Sequence, residues 1–325
     1  MRPIRLPANQ PQARFYRGGA QIARFRGDPP PPSHTPEDWV ASTTSVRGDA
    51  PVGLTRLADG ELLVDAVARD PLPWLGAAHL ERYGTDTMLL VKLLDAGQRL
   101  LVHAHPDGVF AREHLAAAHG KAEAWYLLTP GTVHLGFVRD VGPAELRELV
   151  ATQDSARMLA LMHEVHVEPG DSVYVPPGML HAIGEGVLLA EVQEPEDLSI
   201  LLEWTGFELD GERDGHLGLG FDLALAAVDS RGRRTAEIDA LVRRGVRDGD
   251  ALVADARPYF RLDAVEGTAE FPAGFAIIIA LDDIELASTA GVESHPRGST
   301  VLVPHAAGDV VVAGRALVAR PPDGA

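Results

Sequence analysis

The chain has 325 residues, 46% hydrophobic and 23% charged, with no cysteine and a formal net charge of −18. That apolar fraction excludes a mainly disordered chain, and the missing cysteine excludes disulfides, thiolate nucleophiles and thiolate metal sites. The acidic balance argues against nucleic acid and anionic membrane as partners, and no apolar run approaches the ~18 residues that a spanning helix needs.

Residues 1 to 27 carry Arg2, Arg5, Arg14, Arg17, Arg24 and Arg26 and no acid. Pro3, Pro7 and Pro11 interrupt the apolar stretch of a secretory signal, and the segment lacks the serines of a transit peptide. The expectation is an irregular arm that packs on the body and covers a sheet edge, in a cytoplasmic protein. Asp28-Pro29-Pro30-Pro31-Pro32 then reads as a semi-rigid connector.

Trp39 to Val46 has β character, and Leu72 to Tyr83 reads as one helix behind Pro71 and Pro73. Met88 to Leu94 and Gln98 to His103 are predicted as buried strands split by the Asp95-Ala96-Gly97 turn. Residues 109 to 119 predict a short helix closed by Gly120. Strands follow at Trp125 to Leu128 and Val133 to Val138. Pro143 opens a helix to Val150, and Asp154-Ser155 cap another running to His163. Further strands are predicted at Glu164 to Val167, Ser172 to Val175 and Val187 to Val192. Helical pieces at Leu223 to Ala227 and Thr235 to Val242 precede a β-rich stretch from Tyr259 to Val318. Short strands at regular spacing between Gly/Pro turns predict an all-β sandwich or barrel with inserted helices.

A weak internal echo divides the β-rich material into two units. Gly170-Asp171-Ser172-Val173-Tyr174-Val175-Pro176 leads to Gly178 and His181, whereas Gly298-Ser299-Thr300-Val301-Leu302-Val303-Pro304 leads to Gly308 and Asp309. Only the first copy has a histidine five residues after its proline corner, where the second has Asp309.

Alternate residues of a strand share a face, so His103 and His105 in Leu101-Val102-His103-Ala104-His105-Pro106 project side by side. Glu123 follows at the head of the next strand, and His181 comes from Pro176-Pro177-Gly178-Met179-Leu180-His181. Three imidazoles and one carboxylate suit Zn²⁺, and also Mn²⁺ or Fe²⁺. An isolated His-x-His pair is more often structural, and the other ten of the 13 histidines are read as surface or packing residues. Lys92 and Lys121 are the only lysines beside 27 arginines, so a lysine next to Glu123 marks a place where a compact ammonium is wanted. Lys92 is expected to snorkel out of its strand.

The order HxH, Glu, then PxGxxH resembles the metal-binding cupins. More narrowly, Val91-Lys92-Leu93-Leu94-Asp95-Ala96, Val102 to Asp107, Gly120-Lys121-Ala122-Glu123-Ala124-Trp125-Tyr126 and Val167 to Gly184 resemble the class I mannose-6-phosphate isomerases. Glu191-Val192-Gln193 is similar to that family's Glu-Ile-Gln, and Arg17-Gly18-Gly19 to its Trp-Gly-Gly. The resemblance covers about residues 12 to 205; the last third matches only as a smaller second barrel. It implies a bicupin, two jelly-roll β-barrels plus short helical segments. The units would be an arm and connector at 1–35, a metal-binding barrel at 36–210, a helical connector at 211–257 and a degenerate second barrel at 258–325.

The resemblance further implies a zinc-dependent aldose–ketose isomerase of sugar metabolism, acting on a small sugar or sugar phosphate and expected to be a monomer. His105, Glu123 and His181 match the family's zinc ligands, and His103 stands where the family has a glutamine. The matching lysine of the family faces substrate, which gives Lys121 a catalytic and substrate-binding role. Glu191, on the strand after His181, is the candidate base, with a buried structural carboxylate as the competing reading. Asp197 and Arg17 complete the expected substrate contacts.

One departure matters. The family continues into a Ser-Asp-x-Thr-Tyr-Arg stretch, whereas here Asp197-Leu198-Ser199-Ile200-Leu201 puts Leu201 where its active-site arginine stands. A leucine holds no anion. Arg14, Arg17 or Arg213 could substitute. The alternatives kept open are an isomerase for an unphosphorylated or differently substituted hexose, a non-catalytic metal-binding sugar sensor, and an Fe²⁺ oxygenase.

Overall fold

A computed structural model describes residues 1–323 and shows mostly β-sheet with short helices. Three antiparallel sheets carry the chain. A six-stranded sheet runs in the order Val242–Arg243, Ser172–Val175, Glu123–Leu127, Leu188–Gln193, Leu90–Asp95, Glu37–Val40. A five-stranded sheet runs Ile200–Leu201, His103–Ala104, His181–Ile183, Gly131–Phe137, Met162–Val167. Seven strands of the C-terminal part, joined by Ile4–Leu6, form an eight-stranded sheet around the long pair Arg261–Phe271 and Val310–Arg320.

The six-stranded sheet is buried on both faces, and its strands alternate accordingly. Val91, Leu93, Ala124, Tyr126, Ala190 and Val192 share an apolar core with Phe260, Leu262, Ile277, Ile279 and Leu317 of the C-terminal sheet. The alternate positions, Lys92, Glu123, Trp125, Glu191 and Gln193, face the other way and are buried too. At roughly 25 cal/mol per Å² of apolar surface, the first face supplies the stability that lets the second hold charge.

Lys92 is therefore not a snorkelling side chain. It is 3% exposed, because its strand lies between Leu188–Gln193 and Glu37–Val40 and its ammonium is enclosed by Glu37, Trp39 and Glu191. Other boundaries also shifted. The region Leu72 to Tyr83 forms two helices, Pro71–Leu75 and Ala77–Tyr83, broken at Gly76. Gly76 has φ +80°, and the His305 ring lies 2.6 Å from where its Cβ would sit. The helix Gly108–Leu115 stops at Ala116 instead of reaching Gly120. Of the predicted 98–103 strand only His103 pairs in a ladder, within the strand His103–Ala104, and Glu37–Val40 replaces most of the 39–46 strand. Asp154 does cap its helix, accepting from the Arg157 amide, but that helix ends at Ala160 and His163 lies in the next strand. The arginine-rich arm is more regular than expected. Ile4–Leu6 pairs along Thr300–Leu302, covering that edge, and Ala20–Arg26 is helical.

Candidate metal and substrate site

The site lies between the six- and five-stranded sheets. His103 and His181 are direct partners across neighbouring strands, which sets their ring centroids 4.0 Å apart. His105, two residues on, brings its ring within 5.0 Å of His103 and 4.8 Å of His181. Gly178 makes the His181 turn possible: its φ is +81° and its amide donates to the His105 carbonyl at 2.7 Å. Glu123 enters from the opposite sheet, 3.0 Å from His105 Nε2 and 3.2 Å from His181 Nε2.

Hydrogen bonds fix which nitrogen faces inward. Nδ1 of His103 bonds the Leu101 carbonyl at 2.9 Å, that of His105 the Leu198 carbonyl at 2.6 Å, and that of His181 the Met179 carbonyl at 2.9 Å. A carbonyl only accepts, so each imidazole carries a proton on Nδ1 and turns Nε2 inward. Burial, then the neighbouring imidazoles, holds His103 well below the usual histidine range. His105 is pushed down to about 3 by burial first and Lys121 second. Against burial, Lys121 and the imidazoles keep Glu123 well below the usual carboxylate range. A neutral His103 and His105 beside a charged carboxylate are the protonation states that metal binding demands.

The donors fit a cation. His103, His105 and His181 place one ligand atom each within 4.8 Å of one another. His181 Nε2 is buried without a hydrogen bond, and Glu123 Oε2 is met only by the Lys121 ammonium and His105 Nε2. Such an orphaned acceptor costs about 1–3 kcal/mol unless a cation satisfies it.

Lys121 Nζ lies 3.0 Å from both Glu123 Oε2 and His105 Nε2. Gly120 lets it approach, since a Cβ there would stand 2.6 Å from the backbone of Asp107 and Gly108. Gly120→Ala is expected to destabilise the fold by about 1–3 kcal/mol and to weaken metal binding by displacing Lys121 and Glu123. Thermal melting and a zinc titration check both. The loop before Gly120 is tied down by His119 Nε2 on Asp86 Oδ2 at 2.7 Å. The hydrogen bond to Asp86 raises His119 against burial, with Glu194 and Glu196 adding to it. Burial raises Asp86, but the hydrogen bonds from His119 and the Met88 amide outweigh it and the net shift is downward. The raised histidine contributes stability that fades as pH rises through its folded pKa; the lowered aspartate contributes stability that fades as pH falls. Asp86→Asn should therefore lower Tm more near pH 5.5 than near pH 9, read by melting at both.

Beyond Glu123 the charges continue along the inner face. Glu191, Lys92 and Trp39 are aligned across three neighbouring strands. Lys92 Nζ stands 3.4 Å from Glu191 Oε1, 3.5 Å from Glu37 Oε2 and 4.7 Å from the Trp39 ring centre. Burial and then Glu123 raise Glu191, whose Oε1 makes no hydrogen bond. Glu37 accepts from Tyr16 at 2.6 Å and from the Trp39 indole at 2.7 Å. The Trp125 indole likewise donates to Glu123 at 3.2 Å.

These groups line a cavity of about 510 Å³, within the range of small-molecule sites. Five cations (Arg14, Arg47, Lys92, Lys121, Arg213) meet five carboxylates (Glu37, Glu123, Glu191, Asp197, Asp214) there, a local balance inside a chain of net charge −18. Of the expected site residues, His103, Lys121, Glu123, Glu191 and Asp197 line it, with His105 and His181 packed against them. Arg17 is the exception. It lies outside this cavity, where its backbone and Nε bond Gln98 Oε1 at 3.2 and 3.1 Å. Leu201 does line the cavity. The sequence reading missed Glu37 and Arg47. For Glu37 a signal existed: Glu37-Asp38-Trp39 repeats the Glu-x-Trp spacing of Glu123-Ala124-Trp125.

No family model matches the chain. The chain is 32% identical over 186 residues to a mannose-6-phosphate isomerase of Streptococcus mutans serotype c, covering 55% of this chain and 54% of that protein. It is 36% identical over 132 residues to a mannose-6-phosphate isomerase of Bacillus subtilis, covering 40% and 41%. In fold the match extends to 98% of this chain and 99% of a mannose 6-phosphate isomerase structure from Bacillus subtilis, with a TM-score of 0.73 at 22% identity. The resemblance to mannose-6-phosphate isomerases is borne out. In the sequence alignments the chain spans about half the length of the curated relatives it matches. A mannose 6-phosphate isomerase bound with zinc and yttrium shares the fold over 99% of this chain and all of its own, with a TM-score of 0.73 at 15% identity. Among the described residues no helix is long and apolar enough to cross a membrane.

Proposed function

We propose that this protein is a metal-dependent aldose–ketose isomerase of sugar metabolism that interconverts mannose 6-phosphate and fructose 6-phosphate. The convergence of three Nδ1-anchored imidazoles with Glu123, Lys121 and Glu191 on one cavity carries the reading. The named relatives support it. His103, His105, Glu123 and His181 would hold the ion. Their nitrogen and oxygen donors favour zinc, with manganese or iron as alternatives. A divalent ion bound there would polarise the sugar oxygens at C1 and C2.

The chain's own groups do the rest. Glu191, pushed up by burial and Glu123 and with Lys92 Nζ 3.4 Å from its Oε1, takes the C2 proton and returns it to C1 of a cis-enediol. Lys121 donates to the developing enediolate oxygen, and Asp197 accepts from a substrate hydroxyl. Leu100, Leu101 and Leu201 wall the cavity with apolar surface, which strengthens these contacts by excluding water. On this reading the six- and five-stranded sheets are the walls of one jelly-roll barrel and the C-terminal sheet is a second, without chemistry. The chain then divides at 1–35, 36–210, 211–257 and 258–325, and works as a cytoplasmic monomer.

Proton NMR of the zinc- or manganese-loaded protein with mannose 6-phosphate in D₂O tests the proposal. Loss of the C2 proton signal and growth of fructose 6-phosphate are expected. Absence of both with metal bound would remove this substrate. The second reading, a hexose without the phosphate, is favoured by the apolar Leu201 and is tested in the same tube with mannose.

A further inference from the structure

The cavity holds five cations, of which three are already engaged by carboxylates and a fourth is exposed. Lys121 is engaged by Glu123 and His105, and Lys92 is held between Glu37 and Glu191. The fork of Arg213 is used twice by Asp214, at 2.7 Å from Nε and 2.7 Å from Nη2. Arg47 is anchored by its backbone, whose amide donates to Asp197 at 3.1 Å, while its exposed guanidinium has no ion pair or hydrogen bond among the described residues.

Arg14 differs from all of these. Its side chain is only 14% exposed, and its one ion pair is a long one, 3.6 Å from Nη2 to Glu37. Glu37 is already supplied by Tyr16, Trp39 and Lys92. Arg14 Nε is buried and makes no hydrogen bond. A desolvated guanidinium with an unused donor costs free energy in the free protein and regains it only when an acceptor arrives. Its backbone is fixed by the amide bond to the His34 carbonyl, 3.1 Å, so the group is held at the cavity wall.

We propose that Arg14, assisted by Arg47, receives the anionic end of the substrate, the task for which position 201 offers only a leucine. This rests on the isomerase reading for the substrate's identity, but not for the anion. The expected ligand group is a phosphate monoester, whose oxygens match a guanidinium fork. The anion site is thus built from the N-terminal arm and the segment after Glu37–Val40, not from the strand that carries Leu201.

The test titrates inorganic phosphate into metal-loaded protein by calorimetry and compares mannose 6-phosphate with mannose in turnover. Arg14→Gln should weaken phosphate binding by about 10–100-fold, the loss expected for one charged hydrogen-bond partner. The KM for mannose 6-phosphate should rise by a similar factor, with a smaller change in kcat. Arg14→Lys should recover part of the loss. Arg47→Gln, at an exposed side chain that leaves folding intact, should cost a few-fold, and Arg213→Gln should leave phosphate binding unchanged. Wild-type phosphate affinity in both Arg14→Gln and Arg47→Gln overturns the proposal, as does a wild-type protein that binds no phosphate. If phosphate binds through Arg14 but neither sugar is isomerised, the anion site stands and the isomerase reading falls. If only mannose is turned over and phosphate is not bound, the isomerase stands and the anion site falls.

Discussion

Replacing Glu191 with glutamine is expected to lower kcat by about 10²–10⁴-fold, the usual contribution of a positioned general base, with metal content unchanged. Glutamine is nearly isosteric, so the packing against Lys92 and Trp125 across the ladder survives and the loss reports on proton transfer. The environment argues for the role. Burial and Glu123 push the carboxyl up, which brings it closer to the pH at which a base works, and Lys92 at 3.4 Å keeps it from being an isolated buried acid. Turnover with metal analysis checks it; full activity in Glu191→Gln with metal bound would leave Glu191 as a structural carboxylate.

Metal removal has the other large effect. Chelation is expected to abolish turnover and to lower Tm, because three imidazoles and Glu123 are left facing one another with the buried His181 Nε2 unsatisfied. Binding at 100 times Kd stabilises the native state by about 2.7 kcal/mol, so Tm should climb with added zinc. His181→Ala should weaken zinc binding by more than the roughly 10–100-fold that disturbing a ligand's hydrogen-bond partner costs. Calorimetric zinc titration reads the affinity, and a melt that does not respond to zinc in the wild type would remove the metal site.

Much of this was legible in the sequence because the signals are local. His103 and His105 share a face by strand periodicity alone, and the prolines and Gly178 announce the turn that presents His181. Glu123 and Lys121 sit together in sequence, and so they sit together in space.

The misreadings share one cause. The rule that lysines reach water holds only when a strand has a wet face; at Lys92 both faces of the strand are buried. The helix over 72–83 is broken at Gly76, where the His305 ring, distant in sequence, occupies the space of a Cβ. Arg14 and Arg17 are three residues apart with the same composition around them, yet one lines the cavity and the other bonds Gln98 outside it.

The sequence by itself determined the donor types, their pairing along strands and the sheet-rich fold, since these depend on neighbours within a few residues. The tertiary structure alone decided the Nδ1 anchoring to carbonyls as distant in sequence as Leu198, the enclosure of Lys92 between Glu37 and Glu191, and which arginine is left with an unused donor. Those depend on which segments meet across the two sheets, and burial turns each such meeting into a choice of protonation state and hydrogen-bond partner that no local pattern encodes.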